Sequence, residues 1–308
     1  MPTHTVVVPQ LNLRSAPDPT KKNVIATLAQ GTPVDKLANS GVAGWFEIAV
    51  TIAGTQLRGH VNSRFLGPVS TAFPSASVTA GRLPAADMGS KATEKRSVTG
   101  TRTHSIKESG KPGRPSTHGS GKAAGILRII DWMDVGNDAH LRWQPGGGKT
   151  FCNIYVYDIA DTAGCYVPRV WWNARAIADL KAGKTVEAKI NATVDEVRAN
   201  YIFKWLEQHG ADFGWKRVFD PDVLQTEVNA GRLGIICAQR TDMERPGHIQ
   251  IIAPEHGEQK AKRSAAGKVT QPLQSNAGSR NFTYGHLGTT WWQGVTFRQF
   301  GFWTSETA

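Results

Sequence analysis

Hydrophobic and polar positions change rhythm twice along this chain. Over residues 1–69, short β-prone runs alternate with turn signals, at 5–8, 11–14, 24–28, 34–37, 45–50 and 57–61. The breaks fall where Pro and Gly punctuate, at Ser15-Ala16-Pro17-Asp18-Pro19, Gly31-Thr32-Pro33 and Ala43-Gly44. Strands this short leave exposed edges unless their sheet closes, so the pattern predicts a small β-barrel. From 70 to 122 no apolar period survives and Ser, Thr, Gly, Pro, Lys and Arg dominate, which predicts a flexible basic linker. Between 123 and 308 regular periods return. Residues 126–132 read as a first strand or a short helix. Residues 150–162 are apolar all round, as in a buried helix. Residues 197–209 are amphipathic and stop at Gly210, and 221–230 make a further helix. Strands follow at 233–238, 248–253 and 268–274, and an aromatic, alternating strand at 294–303 ends the pattern. Helices followed by an antiparallel sheet predict an α+β fold for this third region.

Composition sharpens the picture in three places. The 308 residues, 40% of them hydrophobic and ten of them Trp, suffice for a sizeable core in one or two domains. The net charge of +11 makes an anionic partner plausible. Between Arg82 and Lys122 nine Lys/Arg stand against three Asp/Glu, a net of +6, so much of the excess sits in the expected linker. The three cysteines, Cys152, Cys165 and Cys237, are odd in number and have no zinc spacing, which argues against a disulfide framework and a zinc site. Cys237, in an apolar run, reads as core, and Cys165 after Gly164 as structural. The first residues lack a basic stretch followed by a long apolar one, so no ordinary signal peptide is expected. No apolar run approaches membrane-spanning length.

That leaves Cys152. The segment Thr150-Phe151-Cys152-Asn153-Ile154-Tyr155-Val156-Tyr157-Asp158 follows the loop Gln144-Pro145-Gly146-Gly147-Gly148-Lys149, which places the thiol in the first turn of a helix. Unpaired backbone N–H groups and the helix dipole favour a thiolate there. About a hundred residues on, Gly247-His248-Ile249-Gln250-Ile251-Ile252 puts a histidine at the start of a buried strand. Nucleophile and base that are distant in sequence and adjacent in space are the layout of a cysteine hydrolase. Gly146-Gly147-Gly148-Lys149-Thr150 is not a phosphate loop, because position 143 is Trp143 where the first glycine belongs.

These segments, with Ala199-Asn200-Tyr201-Ile202-Phe203-Lys204-Trp205-Leu206 and Ser275-Asn276-Ala277-Gly278-Ser279-Arg280-Asn281-Phe282, resemble papain-like peptidoglycan hydrolases of the NlpC/P60 and CHAP kind. Residues 1–69 resemble a bacterial SH3 (SH3b) domain through Leu11-Asn12-Leu13-Arg14-Ser15-Ala16-Pro17, Gly31-Thr32-Pro33-Val34, Gly44-Trp45-Phe46-Glu47-Ile48 and Gly59-His60-Val61-Asn62-Ser63-Arg64-Phe65-Leu66. The resemblance implies an SH3b cell-wall-binding domain at 1–69, the linker at 70–122 and a papain-like amidase or endopeptidase domain at 123–308. It implies Cys152 as nucleophile, His248 as general base and a polar third residue before an Ala-Gly pair, for which Asn276 is the choice and Gln274 the alternative. Candidate oxyanion donors are the Cys152 backbone N–H, Asn153 and Gln144. Trp143, Trp171, Trp172, Trp291 and Trp292 could line a substrate groove, with one Trp of each pair buried. Arg169 and Arg175 could meet a peptide carboxylate.

The expected reaction is amide cleavage in bacterial peptidoglycan, with no metal and no cofactor. A phage endolysin and an antibacterial effector both fit, and an effector would also meet secretion machinery and an immunity protein. Either would be made in the cytoplasm and act at the wall or periplasm after release or export outside the Sec route. No nucleic-acid partner and no stable membrane insertion are expected. A cysteine hydrolase or acyltransferase with a protein substrate, and a non-catalytic wall-binding protein, are the competing readings.

Overall fold

A computed structural model describes residues 3–306, except 7, 9, 21, 30, 31, 53, 54, 69–81, 114, 116–120 and 289. The chain forms two compact units, Met1–Ser75 and Ala76–Ala308, and is of mixed α and β structure.

The first unit holds β1 (His4–Val6), β2 (Gln10–Arg14), β3 (Val24–Ala29), β4 (Pro33–Asn39), β5 (Trp45–Ile52), β6 (Thr55–Asn62) and β7 (Leu66–Pro68). They pair antiparallel in the order β3-β2-β6-β5-β4-β1-β7. Alternation sends Leu11 and Leu13 of β2 inward, where they join Leu28, Val34, Ile48, Val50 and Val61. Gly59 allows β6 to approach β2, since a Cβ there would lie 2.6 Å from the Arg14 carbonyl oxygen. Closure into a barrel was expected. Among the described strands β3 and β7 end the order without pairing to each other, and β2 meets β6 only at Arg14 and His60, so the sheet curves around one apolar cluster without closing its ladder.

The second unit begins earlier than the sequence pattern suggests. Residues 82–113 were expected to be a flexible linker; Leu83, Ala86, Glu94, Thr103, His104, Ser105 and Ile106 are instead buried. β8 (Ser90–Lys91) and β9 (Ser105–Ile106) pair in parallel within this stretch. Composition misled because it counts charges without their partners. Glu94 pairs with Arg142, and Glu108 with Arg96. Residues 70–81 lie outside the described residues.

The rest comprises α1 (Gly121–Met133), α2 (Cys152–Ala163), β10 (Val170–Trp172), α3 (Ala174–Lys181), β11 (Val194–Glu196), α4 (Ala199–Gln208), β12 (Trp215–Val218), α5 (Pro221–Asn229), β13 (Leu233–Arg240), β14 (His248–Ile252), β15 (Lys262–Arg263), β16 (Val269–Gln271), β17 (Gln274–Asn276), β18 (Phe282–Gly285) and β19 (Phe297–Ser305). Residues 126–132 are therefore helix rather than strand. The run at 268–274 divides into β16 and β17 at Pro272, which has no N–H to give a ladder.

Six strands form the main antiparallel sheet, in the order β12-β19-β13-β14-β17-β18. Both faces of β13 are covered. Ile235 and Cys237 join the core that contains α2 and α4, while Ile236 and Ala238 join a second cluster with Leu224 and Val228 of α5. This is why 233–238 reads as an unbroken apolar run. Ten of the twelve residues of α2 are buried, and the helix ends at Gly164 in the left-handed region at φ 80.

One buried ion group joins these parts. Arg142 is fully buried on the loop before α2. Its Nε and Nη2 donate to the Asp158 carboxylate of α2 at 2.7 and 3.0 Å, its Nη1 to Glu94 at 2.5 Å, and Nη2 also to the His104 carbonyl at 2.9 Å. Trp143 Nε1 adds a bond to Asp158 at 2.8 Å. Removing one partner would strand a buried charge. Glu94→Ala should therefore destabilise the second unit by about 3–5 kcal/mol, with a Tm fall on the order of 10 °C. Glu187→Ala, which breaks only an exposed pair with Lys189, should leave Tm within about a degree. Thermal unfolding followed by circular dichroism separates the two, and equal shifts would contradict this account.

Candidate active site

Cys152 is the first residue of α2. Its N-cap, Phe151, makes no side-chain capping bond, so the first-turn N–H groups have no side-chain partner there. The preceding loop is tightened by reciprocal bonds between Gly146 and Lys149, with Gly147 and Gly148 in the left-handed region at φ 58 and 73. Cys152 is 3% exposed and lies in the wall of a cavity of about 550 Å³. Phe151, Asn153, Arg102, Arg169 and Gly247 share that wall.

His248 opens β14, directly after Gly247. A side chain at 247 could not be accommodated: a Cβ would lie 2.4 Å from Asn200 Oδ1 and 2.6 Å from the Ala238 carbonyl oxygen. Asn200 is itself buried on α4, where it accepts from Arg240 N and donates to the Met243 and Arg245 carbonyls. The turn that delivers the histidine is thus fixed from beneath.

The imidazole Nε2 lies 3.0 Å from Asn276 Oδ1. Two other bonds set the orientation of that amide: Gln250 Nε2 donates to Oδ1 at 2.8 Å, and Asn276 Nδ2 donates to the Arg280 carbonyl at 2.6 Å. A carboxamide oxygen only accepts, so Nε2 carries the proton and Nδ1 keeps its lone pair. Trp291 stands edge-on to the imidazole, with centroids 4.8 Å apart.

Helix and sheet halves of the site are tied together. Tyr155, one turn after Cys152, bonds through its hydroxyl to Ser275 Oγ at 2.6 Å, and Ser275 immediately precedes Asn276. Backbone N–H groups of Ile249, Asn153 and Cys152 act on the thiol sulfur. The Ile249 amide belongs to the residue next to His248, so the sulfur sits against the start of β14.

Electrostatics keep both groups neutral at rest. Burial pushes the Cys152 thiol up, and the three N–H groups only partly offset it. Burial takes His248 down to about 4, opposed by the Asn276 bond and assisted by the positive charge of Arg240. Both groups are thus uncharged near neutral pH. A thiol at a helix terminus with a set of N–H groups can, given a base in reach, attack a carbonyl and hold the resulting oxyanion.

The other expected site residues are dispersed. Asn153 lines the cavity, but its amide nitrogen donates to the Val197 carbonyl at 2.9 Å. Gln144 donates to Asn137 O, accepts from Asn281 and is not in the cavity wall. The Asn153 side chain thus ties α2 to the segment before α4, and the Gln144 side chain ties neighbouring loops. Gln274 is buried and accepts from Leu287 N, and the imidazole bonds Asn276 instead. Trp292 is buried in the cluster with α5, while its neighbour Trp291 meets His248. Trp172 is buried with its Nε1 on the Pro84 carbonyl, while Trp171 is half-buried; both line a second cavity of about 440 Å³. Cys237 and Cys165 are buried and unbridged. Gln250 was missed, although the period of two puts it on the same strand face as His248. Arg102 was missed because it lies in the expected linker.

Among the described residues no group of His, Cys, Asp and Glu is placed to hold a metal, and no helix is long and apolar enough to cross a membrane.

The two pKa directions fix a pH dependence. Thiolate at Cys152 should appear only in the alkaline range, and imidazolium at His248 only near pH 4. Alkylation of Cys152 by neutral iodoacetamide, followed by peptide mapping, should therefore rise steadily above about pH 8. A rate plateau between about pH 5 and 7, the mark of a preformed thiolate–imidazolium pair, would contradict it.

No family model and no curated protein matches the chain. Among solved structures, NlpC2 from Trichomonas vaginalis aligns with 98% of this chain and 73% of its own, at 11% identity and a TM-score of 0.23, which is too low to carry an argument.

Proposed function

We propose that the protein is a cysteine hydrolase that cleaves an amide bond of bacterial peptidoglycan. The observation that carries the reading is the Asn276 bond to His248 Nε2, which leaves Nδ1 as the acceptor of an imidazole that directly follows Gly247 of the Cys152 cavity wall. Cys152 is the nucleophile, His248 the general base and Asn276 the residue that holds the imidazole.

When substrate enters and its carbonyl approaches the sulfur, Nδ1 takes the thiol proton. The thiolate adds to the carbonyl carbon, and the oxyanion is met by backbone N–H groups at the α2 terminus. His248 passes the proton to the leaving amine, and a thioester to Cys152 remains. Water, deprotonated by His248, then releases the acid and restores the thiol. Asn276 orients the ring without adding a negative charge, so the imidazolium is stabilised chiefly by the oriented hydrogen bond.

The wall substrate rests on the SH3b-like pattern of residues 1–69 and on the resemblance of the second unit to NlpC/P60 and CHAP hydrolases. The first unit has a small cavity of about 260 Å³ lined in part by Asn12, Trp45, Asn62 and Phe65, suited to hold a wall fragment. Amidase and endopeptidase action both fit the site.

Digestion of purified peptidoglycan, with products identified by mass spectrometry, tests the reading. The wild type should release free stem peptides from intact glycan, or cut stems and bridges, and Cys152→Ala should lower the rate at least about a thousand-fold with Tm retained. Products formed equally by Cys152→Ala would sink the mechanism, and no wild-type products would sink the substrate. Removing residues 1–69 should reduce co-sedimentation with cell walls while Cys152 chemistry persists; unchanged sedimentation would remove the wall-binding role.

A further inference from the structure

The cavity at Cys152 is strongly basic. Arg102, Lys149, Arg169 and Arg198 line it, against Glu196 as its one acidic wall residue among those described. Arg169 is 4% exposed; its Nε donates to the Arg102 carbonyl at 2.6 Å and its Nη2 to Glu196 at 2.9 Å. Its Nη1 is buried with no hydrogen-bond partner among the described residues. An unfilled donor on a buried cation is costly for folding alone, and a ligand oxygen would satisfy it.

Arg102 adds a second observation. Its backbone is in the left-handed region at φ 54, where a side chain is strained. The strain is held by the Arg169 bond to its carbonyl and by its own Nε on the Arg142 carbonyl at 2.9 Å. Its guanidinium lies 3.9 Å from the centre of the Phe151 ring, on the residue next to the nucleophile. The chain thus maintains a strained arginine at the mouth of the site and crowds it against Arg142 and Arg169.

We propose that this cavity is a carboxylate subsite: the substrate carries a free carboxylate close to the scissile amide, bound by Arg102 and Arg169 with Arg198 at the rim. The substrate class is therefore an acidic peptide. The assignment rests on the hydrolase reading for its purpose, and on the cavity alone for its chemistry. Paired guanidinium groups match a carboxylate in shape and charge, and the excess of positive charge would raise the local concentration of an anionic substrate.

A pair of small probes tests it without any wall substrate. Iodoacetate and iodoacetamide alkylate the same thiol and differ in one negative charge. At pH 9 and low salt, the ratio of their rates at Cys152 should exceed the ratio for free cysteine by about ten-fold, and the excess should shrink at 0.5 M salt, roughly in line with screening. Arg102→Gly removes the guanidinium and relieves the positive φ; Arg198→Gln removes an exposed charge, so a folded variant is available in either case. Both should bring the ratio down toward that of free cysteine. A wild-type ratio equal to that of free cysteine, or one unchanged in both variants, would overturn the subsite. On peptidoglycan, amidation of the stem-peptide carboxylates should lower wild-type cleavage about ten-fold and affect Arg102→Gly less than about two-fold. Loss of all cleavage of untreated wall would count against the hydrolase reading and leave the alkylation ratios to decide the subsite.

Discussion

The buried Arg142 group is the constraint from which the second unit takes its form. A guanidinium with no access to water must have each of its charges and donors answered within the fold. The partners come from three places: Asp158 on the helix of Cys152, Glu94 and the His104 carbonyl on the segment before α1, and Trp143 beside the arginine itself, which shares Asp158. None can leave without exposing the others to an uncompensated charge. The segment 82–113 is therefore part of the second unit, and it brings Arg102 to the wall of the Cys152 cavity.

The same logic of burial sets the character of the site. Cys152 is buried and His248 half-buried, which disfavours the charged form of each. The surrounding hydrogen bonds are directional rather than charged: Asn276 on Nε2, Gln250 behind it and backbone N–H groups on the sulfur. Geometry is specified tightly while the resting electrostatics stay mild. Tyr155 and Ser275 link the two halves, so a shift of α2 against the sheet would be felt at both Cys152 and Asn276.

Much of this was legible in the sequence. The helix around Cys152, the strand opening at His248 and the strands of the first unit follow from apolar periodicity and Gly/Pro punctuation, which act locally. Asn276 was legible through the family resemblance and its place beyond the His248 strand. What escaped depends on contacts between distant residues. Glu94 among linker-like neighbours looks like a solvated charge until Arg142 is known to face it. Which Trp of the pair 291/292 is buried, and what the side chains of Asn153 and Gln144 bond, are set by tertiary contacts in the same way. Adjacent residues of the same type differ only in what the tertiary fold sets against them. Gln250 is the exception, since strand alternation alone put it beside the imidazole.

The neutral resting thiol also bears on chemical durability. Peroxides attack thiolate far faster than thiol, and a sulfenic acid at a nucleophile ends catalysis until something reduces it. Burial that raises the Cys152 thiol therefore also protects it from oxidation. Cys165 and Cys237 are buried too, so no neighbouring surface thiol is offered for a mixed disulfide. The burial that shapes the core around α2 thus also shields the sulfur.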